Sequence, residues 1–510
     1  MEGLSLLTDL YQLTMAQGYW KTGRAETQAV FHVFYRTQPF NGGYAVCSGL
    51  VPALEWLRAL RFTQSDADYL ATLVGNDGRP LFDAGFLAYL VGMGPLALDV
   101  DAVPEGTVVF PHEPLVRVRG PILQAQLVET ALLCMVNFAT LVATKAARIC
   151  AACAGEPVLE FGFRRAQGLD GALAASRAAY VGGCAATSNV LAGKRYGIPV
   201  AGTHAHSWVQ SFATQQEAFD RWGATAPNNC VLLVDTYDTL TGVREAIRTA
   251  RRLVAAGHRF GGIRLDSGDL AWLSVEARKM LDAAGFADAK IYASNDLDEQ
   301  LVTSLKHQGA AINMWGIGTK LVTCYDQPAL GGVYKLAATR EPGDTEWRPC
   351  IKLSEMAIKV SNPGILNTRR WTVDGVFAGD IIWDELHPPT AAEGADAGTD
   401  VHWRAVDPGD ATRTKDMPVP DGARVVAEDL LVPVLRAGRA VYTPPPLAEV
   451  RARTLQQLAM LSPSHKRLLN PHQYVVGLES GLFARKTELI LREREVVRKL
   501  REAAKDPQEL

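Results

Sequence analysis

The chain has 510 residues, of which 48% are hydrophobic and 21% charged, and a formal net charge of −3. That length allows roughly three domains around a sizeable buried core. The charge balance excludes a broad basic face for nucleic acid, so any anion site must be assembled locally.

The opening stretch, MEGLSLLTDLYQLTM, carries Glu2 and Asp9 without a basic segment before an apolar one. That is not the pattern of a signal peptide, and the chain reads as cytoplasmic. Residues 5–22 read as a helix with Leu10, Leu13, Thr14 and Gly18 on one side and Tyr11 on its first turn. AVFHVFYR (29–36) reads as a strand ending at Arg36, followed by a turn at Asn41-Gly42-Gly43. Residues 96–120 alternate and are broken by Pro-Glu-Gly and Pro-His-Glu-Pro, as in an open antiparallel sheet. A helix is expected over 122–135, and the charge-free run between Glu129 and Lys145 is too short to cross a membrane. A domain boundary is placed there, giving an N-terminal α+β open-sheet domain over 1–135.

From 136 to 345 the pattern is α/β. Apolar runs recur at 157–163, 198–203, 229–235, 260–266, 289–295 and 312–318, with helical periods between most of them. VREAIRTARRLVAAG puts Val243, Ala246, Ile247, Ala250 and Val254 on one face and stops at Gly257; VEARKMLDAAG repeats the design. Strand alternating with helix predicts parallel βαβ units, and six of them favour an irregular (β/α) barrel. The eight cysteines form no framework: only Cys150 and Cys153 stand in CxxC spacing, with no second pair for zinc. Reduced thiols are the simplest reading.

The strand ends carry the chemistry. In order they are Arg164-Arg165, His206, Asp235, Arg264-Leu-Asp266-Ser-Gly-Asp269, Ser294-Asn295-Asp296 and Gly316-Ile-Gly318-Thr319-Lys320. Carboxyl ends of barrel strands are where such folds build active sites. The glycines and threonine of WGIGTKL suit a phosphate cradled by backbone N–H groups, although a lone GxG more often serves packing. Carboxylates beside phosphates hold ribose hydroxyls or Mg²⁺, and Ser267 or Asp269 could also cap a helix. Beyond 345 the alternation stops. Residues 346–510 form a C-terminal extension in which 387–425, rich in Pro, Ala, Gly and Asp, reads as a flexible connection. A charged helix ends the chain.

EFGFRRAQG-x-DGA, GG…TSNVLAG, GT-x-AHS, IRLDSGDL, YASNDLDE and GIGTKLVT, with TDLYQLTM before them, resemble the nicotinate phosphoribosyltransferase family of type II phosphoribosyltransferases. The resemblance covers about 5–340 well and 350–480 loosely. It departs at His204, where relatives carry an apolar residue, and after Pro363-Gly364, where an expected lysine is missing. It implies transfer of a phosphoribosyl group from phosphoribosyl pyrophosphate to nicotinate, with Mg²⁺ and with ATP as co-substrate, in a homodimer that binds neither nucleic acid nor membrane. His206, Arg264 and Asp266 are then catalytic, with His206 as a phosphohistidine. Tyr11, reaching a neighbouring subunit's site, and Phe161 would sandwich the pyridine ring. Arg36 resembles a family arginine near the phosphates. Arg164, Arg165, Thr187, Ser188, Asn189 and Thr203 would bind substrate, as would Asn295 and the set Asp235, Ser267, Gly268 and Asp269 at ribose or magnesium. Gly316, Gly318 and Thr319 would hold the 5′-phosphate, and Asp235 and Asp266 the metal. The tract 183–190 carries no acid to accept amide N–H bonds, which favours nicotinate over nicotinamide. The alternatives are a nicotinamide enzyme and a sugar-phosphate barrel lyase or isomerase, for which Lys320 is the one strand-end lysine.

Overall fold

A computed structural model describes residues 5–356, 359–389, 403–417 and 422–503. They form two units. One comprises 139–329 with 446–455; the other comprises 1–138, 330–445 and 456–510.

The first unit is built on six parallel strands. Their order is Ala186–Thr187, Val158–Glu160, Met314–Ile317, Lys290–Asn295, Gly262–Leu265 and Val231–Leu233. Such strands are covered on both faces, which is why each reads as a near-continuous apolar run. Helices follow the strands as the periodicity requires. Thr239–Ala255 starts at Asp238, whose side chain accepts from Thr241 N, and buries Val243, Ala246, Ile247 and Ala250. The face continues through Leu253; Val254, expected on it, is 51% exposed.

One expected strand differs. The run 198–203 makes a single bridge, Val200 to Thr187. Pro199 lacks an N–H and contributes only its carbonyl, which accepts from Thr187 N at 3.0 Å, while Ala201 N donates to Thr187 O at 3.0 Å. The ladder position goes instead to Ala186–Thr187, two residues too short to register as an apolar run.

The second unit combines N-terminal and C-terminal segments of the described residues. Its seven-stranded antiparallel sheet sets Gln28–Phe34 between Val333–Arg340 and Val116–Pro121, and Asp99–Ala102 beside Val432–Arg436. A second, six-stranded sheet comes from the C-terminal part. Within 387–425, read as a connection, Trp403–Val406 pairs antiparallel with Thr414–Met417. Trp403, Ala405 and Met417 enter a small core with Trp371 and Ile381, with the period-2 spacing of a half-buried strand. Residues 390–402 and 418–421 lie outside the described residues.

Glu129–Ala152 forms one 24-residue helix, long and apolar enough by composition to cross a bilayer. It is a core helix: 67% of that apolar window is buried, and two of its charged side chains are paired internally. Lys145 Nζ lies 2.7 Å from Glu299 and 2.5 Å from Asp326, and Arg148 Nε lies 2.8 Å from Glu299.

Candidate active site

The strand ends converge on Arg264. Its Nε donates to Ser294 Oγ (2.7 Å), Nη1 to Thr203 Oγ1 (3.0 Å) and Nη2 to Asp266 Oδ1 (2.7 Å). A guanidinium held on three sides is a preorganised cation. Burial alone would raise the Asp266 carboxyl, but hydrogen bonds from Ser294 and Arg264, with His206 nearby, hold it below the usual carboxylate range. His206 opens the short helix His206–Gln210. Its Nδ1 meets Thr236 Oγ1 at 3.1 Å, and its Nε2 lies 3.8 Å from Asp266 Oδ2. With the hydroxyl on Nδ1, Nε2 is the ring nitrogen turned to the carboxylate.

Asp235 lies two residues beyond the strand Val231–Leu233. Its Oδ2 accepts from Asp266 N (2.9 Å) and Ser267 Oγ (2.6 Å), whereas its buried Oδ1 has no hydrogen-bond partner among the described residues. A buried unpaired carboxylate oxygen fits a divalent cation, and Mg²⁺ takes one or two carboxylates together with substrate phosphates. Asp235 therefore fits a magnesium role better than Asp266, whose Oδ1 is occupied by Arg264 and Ser294. Gly268 turns the chain at φ +80°, and Asp269 caps the next helix by accepting from Trp272 N at 3.0 Å.

Phe161 lies under this cluster. The Arg264 guanidinium sits 5.7 Å from its ring centroid. Gly316 and Gly318 make room for it: a Cβ on Gly316 would come within 2.7 Å of the ring, and one on Gly318 within 2.8 Å of the Phe161 carbonyl oxygen. The two glycines of WGIGTKL thus have a close-packing role at Phe161. Thr319 begins a helix of only four residues, Thr319–Val322. Asn295 holds a positive φ of 126° at the end of Lys290–Asn295, a strained backbone of the kind found at functional sites. Arg164 and Arg165 stand exposed on the turn Phe163–Arg165.

Three residues that carry no role of their own in the sequence reading organise the site. Ser294 links Arg264 to Asp266, and Thr236 holds His206. Glu160, fully buried, accepts from Gly162 N, from Ser176 Oγ (2.8 Å) and from Thr187 Oγ1 (2.6 Å). Thr187 thereby spends its hydroxyl internally. Asn189 caps Val190–Tyr196 through Ala192 N (3.2 Å) and donates to Ser176 (3.2 Å). Of the three, Ser188 is partly exposed. The available signal for Glu160 was an acid inside an apolar strand, which is rare without a dedicated set of donors. Lys320 pairs with Asp298 at 2.6 Å, and that bond raises its pKa.

Tyr11 belongs to the other unit, on Leu10–Lys21, and is 47% exposed. It lines a cavity of about 460 Å³ with Tyr19, Phe31, Glu129, Lys335 and Lys352. Arg36, in the same unit, has a buried Nε without a hydrogen-bond partner among the described residues.

An arginine, carboxylates and an imidazole gathered at the carboxyl ends of the parallel strands of a half-barrel sheet give this chain the site of an α/β enzyme. Comparison with known proteins narrows the class. The model described as "Nicotinate phosphoribosyltransferase (NAPRTase) family" matches residues 157–352, and the N-terminal and C-terminal domain models of the same family match 6–137 and 391–486. The chain is 42% identical over 498 residues to nicotinate phosphoribosyltransferase of Bacillus subtilis, covering 96% of each. It is 37% identical over 536 residues to the human protein of that name, covering 94% of this chain and 95% of the human one. The crystal structure of human nicotinic acid phosphoribosyltransferase superimposes with a TM-score of 0.80 at 34% identity, covering 94% of this chain and 99% of that one. The chain belongs to the nicotinate phosphoribosyltransferase family.

Proposed function

We propose that this protein transfers the phosphoribosyl group of phosphoribosyl pyrophosphate to the ring nitrogen of nicotinate, giving nicotinate mononucleotide and pyrophosphate in the salvage route to NAD in the cytoplasm. The observation that carries the reading is the Arg264–Asp266–His206 cluster beside Phe161. The pyridine nitrogen lone pair forms the new bond to ribose C1, the C1–O bond to pyrophosphate breaks, and the electron pair leaves with pyrophosphate. No side-chain nucleophile is needed for that step. The chain's work is to align two reactants and to stabilise departing charge. Arg264, fixed by Ser294, Thr203 and Asp266, faces the reacting anions. Asp235 would hold Mg²⁺, which would supply charge neutralisation. Phe161 offers a face for the pyridine ring.

ATP enters through His206. A neutral imidazole held at Nδ1 by Thr236 leaves the Nε2 lone pair for phosphoryl transfer. The Nε2–phosphorus bond forms, the bond from the γ-phosphorus to the β–γ bridging oxygen breaks, and ADP leaves; water later hydrolyses the phosphohistidine. A second copy of the chain completes the site with Tyr11 and Arg36. The unpartnered Arg36 Nε supports a missing anionic partner there. A barrel lyase is disfavoured by Lys320, whose pairing with Asp298 keeps the ammonium charged rather than nucleophilic.

The test uses purified protein with nicotinate, phosphoribosyl pyrophosphate and γ-labelled ATP. Pyrophosphate release is expected, with label on wild type and none on His206→Ala. No release rejects the transferase reading, and equal labelling of His206→Ala rejects the phosphohistidine. Sedimentation tests the dimer: a monomer with full activity contradicts it.

A further inference from the structure

His204 has no part in the chemistry above, yet it is 5% exposed and immediately precedes the segment bearing His206. Its surroundings are specific. The six-strand sheet ends at Ala186–Thr187 on one side and Val231–Leu233 on the other. The segment 199–201 pairs with Thr187 at the first edge. At the second edge Leu233 N donates to His204 Nε2 at 3.2 Å. A neighbouring strand would offer that N–H a carbonyl oxygen; here the imidazole nitrogen of a side chain accepts it.

An imidazole accepting at Nε2 carries its proton on Nδ1. His204 Nδ1 lies 3.3 Å from Ala205 O, and Ala205 is the residue from which the helix His206–Gln210 starts. Trp222 packs edge-on against the ring with centroids 5.1 Å apart, and Phe219 lies at 6.2 Å. Burial outweighs the Ala205 hydrogen bond and, with the Arg264 charge nearby, pushes the imidazole pKa down to about 4. The ring is therefore neutral near pH 7, with Nε2 free to accept.

We propose that His204 is a positioning residue: its imidazole ties the Leu233 N–H at the sheet edge to the Ala205 carbonyl and so sets the backbone from which His206 reaches Thr236 and Asp266. The proposal rests on the reading of His206 as phosphoryl acceptor. It predicts that shape alone is insufficient at 204 and that an acceptor and a donor are both required. Leucine offers neither; glutamine offers an Oε1 for Leu233 N and an NH₂ for Ala205 O.

The experiment compares wild type, His204→Leu and His204→Gln in steady-state kinetics and in amide hydrogen exchange. A shift of about 1 Å at a reacting group is enough to cost on the order of 10²-fold in rate. For His204→Leu we expect kcat to fall about tenfold or more while the KM for nicotinate stays within about twofold. Exchange should accelerate in peptides spanning 231–236 and remain unchanged across 290–295, which shows that the barrel has folded. His204→Gln should restore both readouts to within about threefold of wild type, since it replaces both hydrogen bonds. A leucine variant with wild-type kcat, or a glutamine variant as slow as the leucine one, overturns the proposal. If wild type takes no label on His206, the phosphohistidine reading fails separately, and the two variants still decide the role of His204.

Discussion

Gly316→Ala tests whether the ring of Phe161 is placed by the backbone beneath it. A Cβ at 316 would lie 2.7 Å from Cδ2 and 2.8 Å from Cε2 of Phe161, and 3.5 Å from Ser294 Cβ. Carbon atoms settle at about 3.5–4.0 Å, so the Ser294 side has no slack and the ring must retreat by about 1 Å. Overpacking of this kind costs about 1–3 kcal/mol of stability. Displacing a group that orients the substrate by about 1 Å costs on the order of 10²-fold in rate. We expect Gly316→Ala to lower kcat/KM for nicotinate by about 10- to 100-fold in folded protein. Phe161→Leu and the double variant complete a cycle. If Gly316 acts through the ring, the double variant is no slower than Phe161→Leu alone. Multiplicative losses, or a Gly316→Ala protein with wild-type kcat/KM, refute the reasoning.

Three further outcomes follow from buried or unpaired charge. Asp235→Asn replaces the partnerless oxygen with an amide donor or removes an acceptor of Ser267, and the Mg²⁺ concentration for half-maximal activity should rise about tenfold or more; an unchanged Mg²⁺ titration argues against a metal at Asp235. Lys145→Met leaves fully buried Glu299 short of a cation and should cost about 3–5 kcal/mol, whereas Lys279→Met, in an exposed pair, should cost about 0–1 kcal/mol; equal melting-temperature losses contradict this. Glu113 is fully buried against Asp380 and Arg370, and burial, with the Asp380 charge, pushes its carboxyl well above the usual range. The folded state keeps that proton after the unfolded chain has lost it, so Glu113 contributes full stability below about pH 4.5 and less as pH rises toward its folded pKa. Glu113→Gln should gain thermal stability relative to wild type between pH 5 and pH 8; a pH-independent difference contradicts the assignment.

The parallel strands and their polar ends were legible because each is local: an apolar run covered on both faces, then an arginine, carboxylate or glycine at its carboxyl end. Arg264, Asp266, Asp235 and His206 were found that way and Thr203 through the family resemblance, and the structure brings them together. Partners contributed from inside the fold were not legible. Ser294 closes the Arg264–Asp266 bridge and Glu160 binds Thr187 from 27 residues away, yet neither shows its role locally. Nor does periodicity reveal that Gln28–Phe34 pairs with Val333–Arg340, because register between distant strands is fixed by packing. The packing role of Gly316 and Gly318 was hidden for the same reason: the ring they accommodate lies far away in sequence.

The central claim is that the site takes nicotinate. The tract Gly183–Val190 holds no acid to accept the N–H groups of a carboxamide. The acid paired with Thr187 on the neighbouring strand, Glu160, is fully buried and already receives three donors. An acid facing the bound carboxylate would repel it; none does so from this tract. The direct measurement is competition between nicotinate and nicotinamide at equal concentration, with phosphoribosyl pyrophosphate, Mg²⁺ and ATP, resolved by chromatography of the two mononucleotides. Nicotinate mononucleotide in large excess is the predicted result. Preferential formation of nicotinamide mononucleotide would contradict the account.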